Sequence, residues 1–142
     1  MKLEQQVTSV EVSNKLRKLF DSFNVQKPSL FYRDWTGAKE DEVLSFIHGS
    51  MWGNEPSWCE DNIPCYTVAE LGEMLPARLE YSREEHTTYR LAMEKQDTQW
   101  NVVFICADCG GRDFEPMLAD TEADARAMCL IYLLENHIIN AL

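Results

Sequence analysis

Positive charge is scarce in this sequence: 13 lysines and arginines stand against 24 aspartates and glutamates, for a formal net charge of −11. Binding to a phosphate backbone requires a patch of Lys and Arg that displaces counterions, so DNA and RNA are disfavoured as ligands. Long hydrophobic runs are missing too. No stretch approaches the roughly 18 apolar residues of a membrane span, and Met1-Lys2-Leu3-Glu4-Gln5-Gln6 offers nothing apolar that could act as a secretory signal. The expectation is a cytosolic protein without membrane contact. Five cysteines are an odd number, and Cys129 lies in an apolar helical run, where cysteine usually acts as a small hydrophobe. The G-x-S-x-G, P-loop, Rossmann, H-E-x-x-H and EF-hand spacings are all absent, which removes motif support from the common enzyme classes. There is no internal repeat and no low-complexity tract.

What remains is a chain of 142 residues, suited to one domain with a core of its own. Residues 1–33 hold Lys2, Lys15, Arg17, Lys18, Lys27 and Arg33 against Glu4, Glu11 and Asp21, so the whole acidic excess lies beyond them. Such asymmetry fits plain solubility or docking onto a basic partner.

The most strongly specified element is the last helix, residues 121–137. Apolar groups cover most of its circumference from Ala123 to Leu134, so it must be covered on more than one side. Thr121, with Asp124 three residues on, has the spacing of a capping box. The same spacing recurs at Thr8 and Glu11 and at Thr67 and Glu70. The first pair opens a helix over 9–23 with Val12, Leu16, Leu19, Phe20 and Phe23 on one face. The second opens a short helix carrying Val68, Leu71, Met74 and Leu75, which Pro76 closes.

Strands are expected over 29–35 and 43–47, followed by a long irregular segment, 49–64, punctuated by Gly49, Gly53, Asn54, Pro56, Asp61, Asn62 and Pro64. Residues 78–82 read as extended. Residues 87–95 alternate as a half-buried strand, and 96–98 turn into a return strand over 99–106 that is apolar on both faces and suits the centre of a sheet. Residues 108–113 turn, and 114–118 form a last short strand. The architecture predicted is α+β: one antiparallel sheet of four to six strands with helices on one face and the last helix central to the core.

Cys106-Ala107-Asp108-Cys109-Gly110-Gly111 is the sharpest local signal, because a C-x-x-C-G at a strand end resembles half of a zinc knuckle. A structural zinc needs four ligands, and a second pair with the right spacing is missing: Cys59 and Cys65 are too far apart in sequence, and His48, His86 and His137 are scattered. A small zinc module using Cys106 and Cys109, with Cys59 and Cys65 as further candidates, is thus an alternative reading, and no cofactor is expected. A thioredoxin-like role is weaker, since the pair precedes Gly110 and Gly111 and not a helix start. His86 follows Glu84 and Glu85, but neighbours on a strand point to opposite faces, so a solvated charge cluster is favoured over catalysis. Trp35 and Trp100 are expected in the core. Trp52 and Trp58, flanked by Glu55, Glu60 and Asp61 in the 49–64 segment, have the make-up of a protein-binding surface, with aromatic anchors rimmed by charge.

Three segments, Ser29-Leu30-Phe31-Tyr32 after the first helix, Tyr66-Thr67-Val68-Ala69-Glu70-Leu71-Gly72-Glu73-Met74-Leu75-Pro76, and residues 120–136, together resemble a group of uncharacterised proteins encoded in bacteriophages and prophages. Arg33 stands where those relatives often have an aromatic, and Cys129 where they have leucine. The resemblance implies a phage or mobile-element origin and a bacterial cytoplasm as the setting, and it brings no activity with it. The expectation for function is a small acidic accessory protein that is not an enzyme and binds a protein with a basic surface; the third alternative is an enzyme with a motif-free site near 49–64.

Overall fold

The computed structural model describes residues 5–21, 30–34, 42–46, 62–83 and 86–139. Their order is α1 (Val10–Phe20), β1 (Leu30–Asp34), β2 (Glu42–Phe46), β3 (Asn62–Cys65), α2 (Val68–Met74), β4 (Arg78–Arg83), β5 (His86–Gln96), β6 (Gln99–Cys106), β7 (Met117–Ala119) and α3 (Glu122–Glu135). The fold is α+β, with α3 packed against an antiparallel four-stranded sheet. The strands lie in two antiparallel sheets and not in one, ordered β2-β1-β3 and β4-β5-β6-β7. β3 falls in the segment expected to be irregular. Pro64 and Asn62 obscure it in the sequence, yet β3 is an edge strand, where a missing backbone N–H is tolerated.

β6 lies between β5 and β7 and is buried on both faces from Asn101 to Cys106, as its doubly apolar pattern predicts. Its Val102, Phe104 and Cys106 join Tyr89, Leu79 and the α3 residues Ala123, Ala127, Leu130, Leu133 and Leu134 in one core. α1 and α2 close over other sides of α3, which is what a helix apolar around most of its circumference demands. A two-residue turn, Asp97-Thr98, joins β5 to β6 with Gln96 opposite Gln99. Asp97 takes φ 50°, a left-handed geometry that Asp tolerates and that matches strand twist. The last strand is shorter and later than expected: Phe114 leaves the ladder and plugs the core instead, edge-on to Tyr89 at 4.7 Å.

The helix starts differ from their sequence signatures in an informative way. Thr67 and Glu70 form a complete capping box on α2. On α1 the N-cap is Ser9, not Thr8. Thr8 is fully buried and its hydroxyl is already engaged, 2.6 Å from Ser13 Oγ and accepting the Tyr66 N–H at 3.1 Å. On α3 the Thr121 hydroxyl accepts from Asp124 N–H as expected, but the Asp124 carboxylate reaches across to α1, where its Oδ1 accepts the Ser9 backbone N–H at 2.7 Å. A capping box is thereby completed between two helices. The far end of α3 closes in a Schellman turn: Ile138 N–H donates to Leu133 O and His137 N–H to Leu134 O, with His137 at φ 53°.

Candidate functional site

Trp52, Glu55, Trp58, Cys59, Glu60 and Asp61, together with His48 and Trp35, lie outside the described residues, as does the 49–64 segment apart from its last three residues, which belong to β3. The described residues bring together two other groups.

The first is the turn after β6. It is held by Cys106 N–H donating to Gly111 O at 2.8 Å, Gly110 N–H to Cys106 O at 3.0 Å, and Ala107 N–H to Thr88 O at 3.0 Å. Gly110 takes φ 72°, a conformation natural to glycine. The result is that backbone N–H groups point at both sulfurs: Cys109 N lies 3.5 Å from Cys106 Sγ and Gly111 N lies 3.3 Å from Cys109 Sγ. The donors from Cys109, backbone before thiol, hold Cys106 below its ordinary value of 9.0. Cys109 is pushed up, chiefly by the side chain of Cys106. Cys106 is buried and Cys109 exposed. C-x-x-C-G-G thus forms a glycine turn after the strand, with N–H groups approaching both sulfurs. Cys65 stands apart at the end of β3, buried and pushed up to about 12 by burial and then by Glu70. Cys129 is likewise pushed to about 12 by burial alone. Among the described residues no group of three or more His, Cys, Asp or Glu side chains is placed to hold a metal ion.

The second group is a groove of about 190 Å³ lined by Gln5, Lys95, Trp100, Asp120, Thr121 and Glu122, among others. The β6–β7 register sets it up: Trp100 lies opposite Ala119, so the ring stands beside the start of α3. Trp100 packs against the core as expected but is only half-buried. Lys95 Nζ sits 5.6 Å from the centre of its ring, a cation–π contact. Glu122 is paired: its Oε1 accepts from Arg126 at 2.6 and 3.0 Å. The Arg126 guanidinium in turn occupies the space where a side chain on Gly72 would be, 2.8 Å from a Cβ placed there. Asp120 is exposed and has no ion-pair partner among the described residues. Sequence reading missed this groove because its parts belong to a hairpin, a strand end and a helix cap, each with a sufficient structural reason of its own. Only the register of β7 joins them.

No described helix is long and apolar enough to cross a membrane. No protein-family model, no curated protein and no solved structure matches the chain.

Proposed function

We propose that this chain is a small acidic accessory protein, encoded by a phage or prophage and working in the cytoplasm of its bacterial host, that acts without catalysis by binding a protein with a basic face. The observation that carries this reading is the groove at Trp100. A half-buried aromatic ring already holding one cation, from Lys95, is rimmed by Asp120, a carboxylate with no ion-pair partner among the described residues, and by Glu122, which is paired. An arginine from a partner fits that chemistry: its guanidinium stacks on indole and its charge meets carboxylate. The excess of acid over the rest of the chain steers a basic surface toward the groove, while ring burial sets the dissociation rate. Blocking the basic groove of a host factor is one use for such a surface.

The test is a titration of isotope-labelled protein with an arginine-rich peptide, followed by NMR at low and high salt. Binding at the groove shifts the Trp100 indole and the Asp120 amide, weakens with salt, and is reduced in Asp120→Lys. Shifts confined to Trp52 and Trp58 would move the interface to the 49–64 segment, and no shift at any tryptophan would remove the reading.

A further inference from the structure

The turn at Cys106 and Cys109 is unconnected with the groove, and its chemistry is of another kind. We infer that Cys106 and Cys109 form a two-thiolate site for a thiophilic monovalent d10 metal ion, Cu(I) being the representative case. Three features of the turn carry this. Both sulfurs accept backbone N–H groups, at 3.5 and 3.3 Å, and such donors stabilise sulfur in its anionic, metal-binding form. Cys106 Sγ lies against the backbone of Cys109 itself, 3.5 Å from its nitrogen, in a turn closed by Gly110 N–H on Cys106 O at 3.0 Å, so one ion can meet both side chains. Cys109 is exposed, which leaves an entry path.

The count of ligands selects the metal. Zinc requires four donors in a structural site, and among the described residues nothing joins the pair to make even a group of three. Of the nearby carboxylates, Asp113 turns its Oδ2 to the Tyr89 hydroxyl at 2.6 Å, and neither it nor Asp108 is placed to make a third ligand. Soft thiolates select Cu(I), and a monovalent d10 ion is satisfied by two of them. Loading sends both thiol protons to solvent and makes one metal–sulfur bond at each cysteine. A neutral dithiol and an ion of charge +1 become a complex of charge −1 and two protons. The glycines complete the device: Gly110 supplies the positive φ, and a Cβ at Gly111 would stand 3.1 Å from Cys109 Sγ, so the sulfur would have to yield by a few tenths of an ångström.

The test titrates the reduced chain, without oxygen, with Cu(I) supplied as its acetonitrile complex in competition with a chromogenic Cu(I) chelator. One equivalent should bind to the monomer with the ultraviolet absorption of copper–thiolate charge transfer. Cys109→Ser, at an exposed position that does not threaten folding, should lose more affinity than the roughly 10–100-fold that accompanies loss of an outer-shell partner. Gly111→Ala should weaken binding with both thiols present, whereas Cys129→Ala should not. Three results overturn the inference: parent-like affinity in Cys109→Ser, half an equivalent bound with dimerisation, which means four thiolates from two copies, or Zn(II) held one-to-one as tightly as Cu(I), which means ligands beyond these two.

Discussion

At the scale of single residues, Asp124 does more than its place in the sequence reveals. It sits in the first turn of α3, where a carboxylate meets the positive end of that helix, and it accepts the N–H of the residue that caps α1. Asp124→Ala removes a charge-assisted hydrogen bond worth about 1.5–3 kcal/mol and leaves a part-buried donor without its partner. The expected outcome is a loss of that order in urea unfolding, with α1 amides losing exchange protection together with those of α3. A surface aspartate in a first turn would show only the dipole effect, about 0.3–1 kcal/mol. The cysteines divide in the same local way. Burial raises Cys65 and Cys129 from 9.0 to about 12, so in the folded chain they stay protonated while the unfolded chain ionises near 9. Between these values the unfolded state binds fewer protons, and stability falls as pH climbs from 9 toward 12. At neutral pH an alkylating reagent should therefore modify the exposed Cys109 before Cys65 and Cys129, which react only on unfolding. Mass spectrometry of timed samples checks the order.

At the scale of elements, α3 was legible because its physics is carried by its own residues: a threonine cap, an apolar surface nearly all round, and a polar end. Leu130 and Leu133 are fully buried. Leu130→Asp or Leu133→Asp places a charge in packed core, at a cost of several kcal/mol against a total stability of about 5–15, so neither variant should fold. A melt like that of the parent, followed by circular dichroism, would remove α3 from the core. β6 was legible for the same reason, since burial on both faces is written in its own side chains. β3 was not, because Pro64 looks like a breaker until its edge position is known. The Thr8 signature misled by one residue: a threonine before a helix signals a cap only when its hydroxyl is free, and Tyr66, 58 residues away, had claimed it. The thiol turn could be read from C-x-x-C-G-G. The Trp100 groove could not, since it is a product of register between elements.

At the scale of the whole molecule, segment 5–9 joins parts that are remote in sequence. Val7 bridges Thr67; Thr8 N–H donates to Tyr66 O, and Val68 N–H to Gln6 O, each at 3.0 Å. With Ser9 bonded to Asp124, one short stretch of chain meets the starts of all three helices. Val7 also packs with Cys65 at the end of β3 in a small second core apart from the main one, so the same stretch links the three-stranded sheet to the body built on α3. Its least replaceable group is the Thr8 hydroxyl. Thr8 and Ser13 are fully buried, and Thr8→Val keeps the shape while leaving the Tyr66 N–H without its acceptor; the Ser13 hydroxyl keeps its bond to Thr8 O at 3.3 Å. A buried donor stripped of its acceptor costs about 1–3 kcal/mol. Thr8→Val should therefore lower the urea midpoint without altering the slope, because the surface exposed on unfolding is unchanged, while Thr8→Ser, which keeps the oxygen, recovers most of the loss. If the segment is the joint, hydrogen exchange in Thr8→Val should quicken together at α1, at β3 and at the start of α2, with β5 and β6 still protected. Quickening at α1 alone would mean that segment 5–9 caps a single helix and that the two sheets are joined by other contacts.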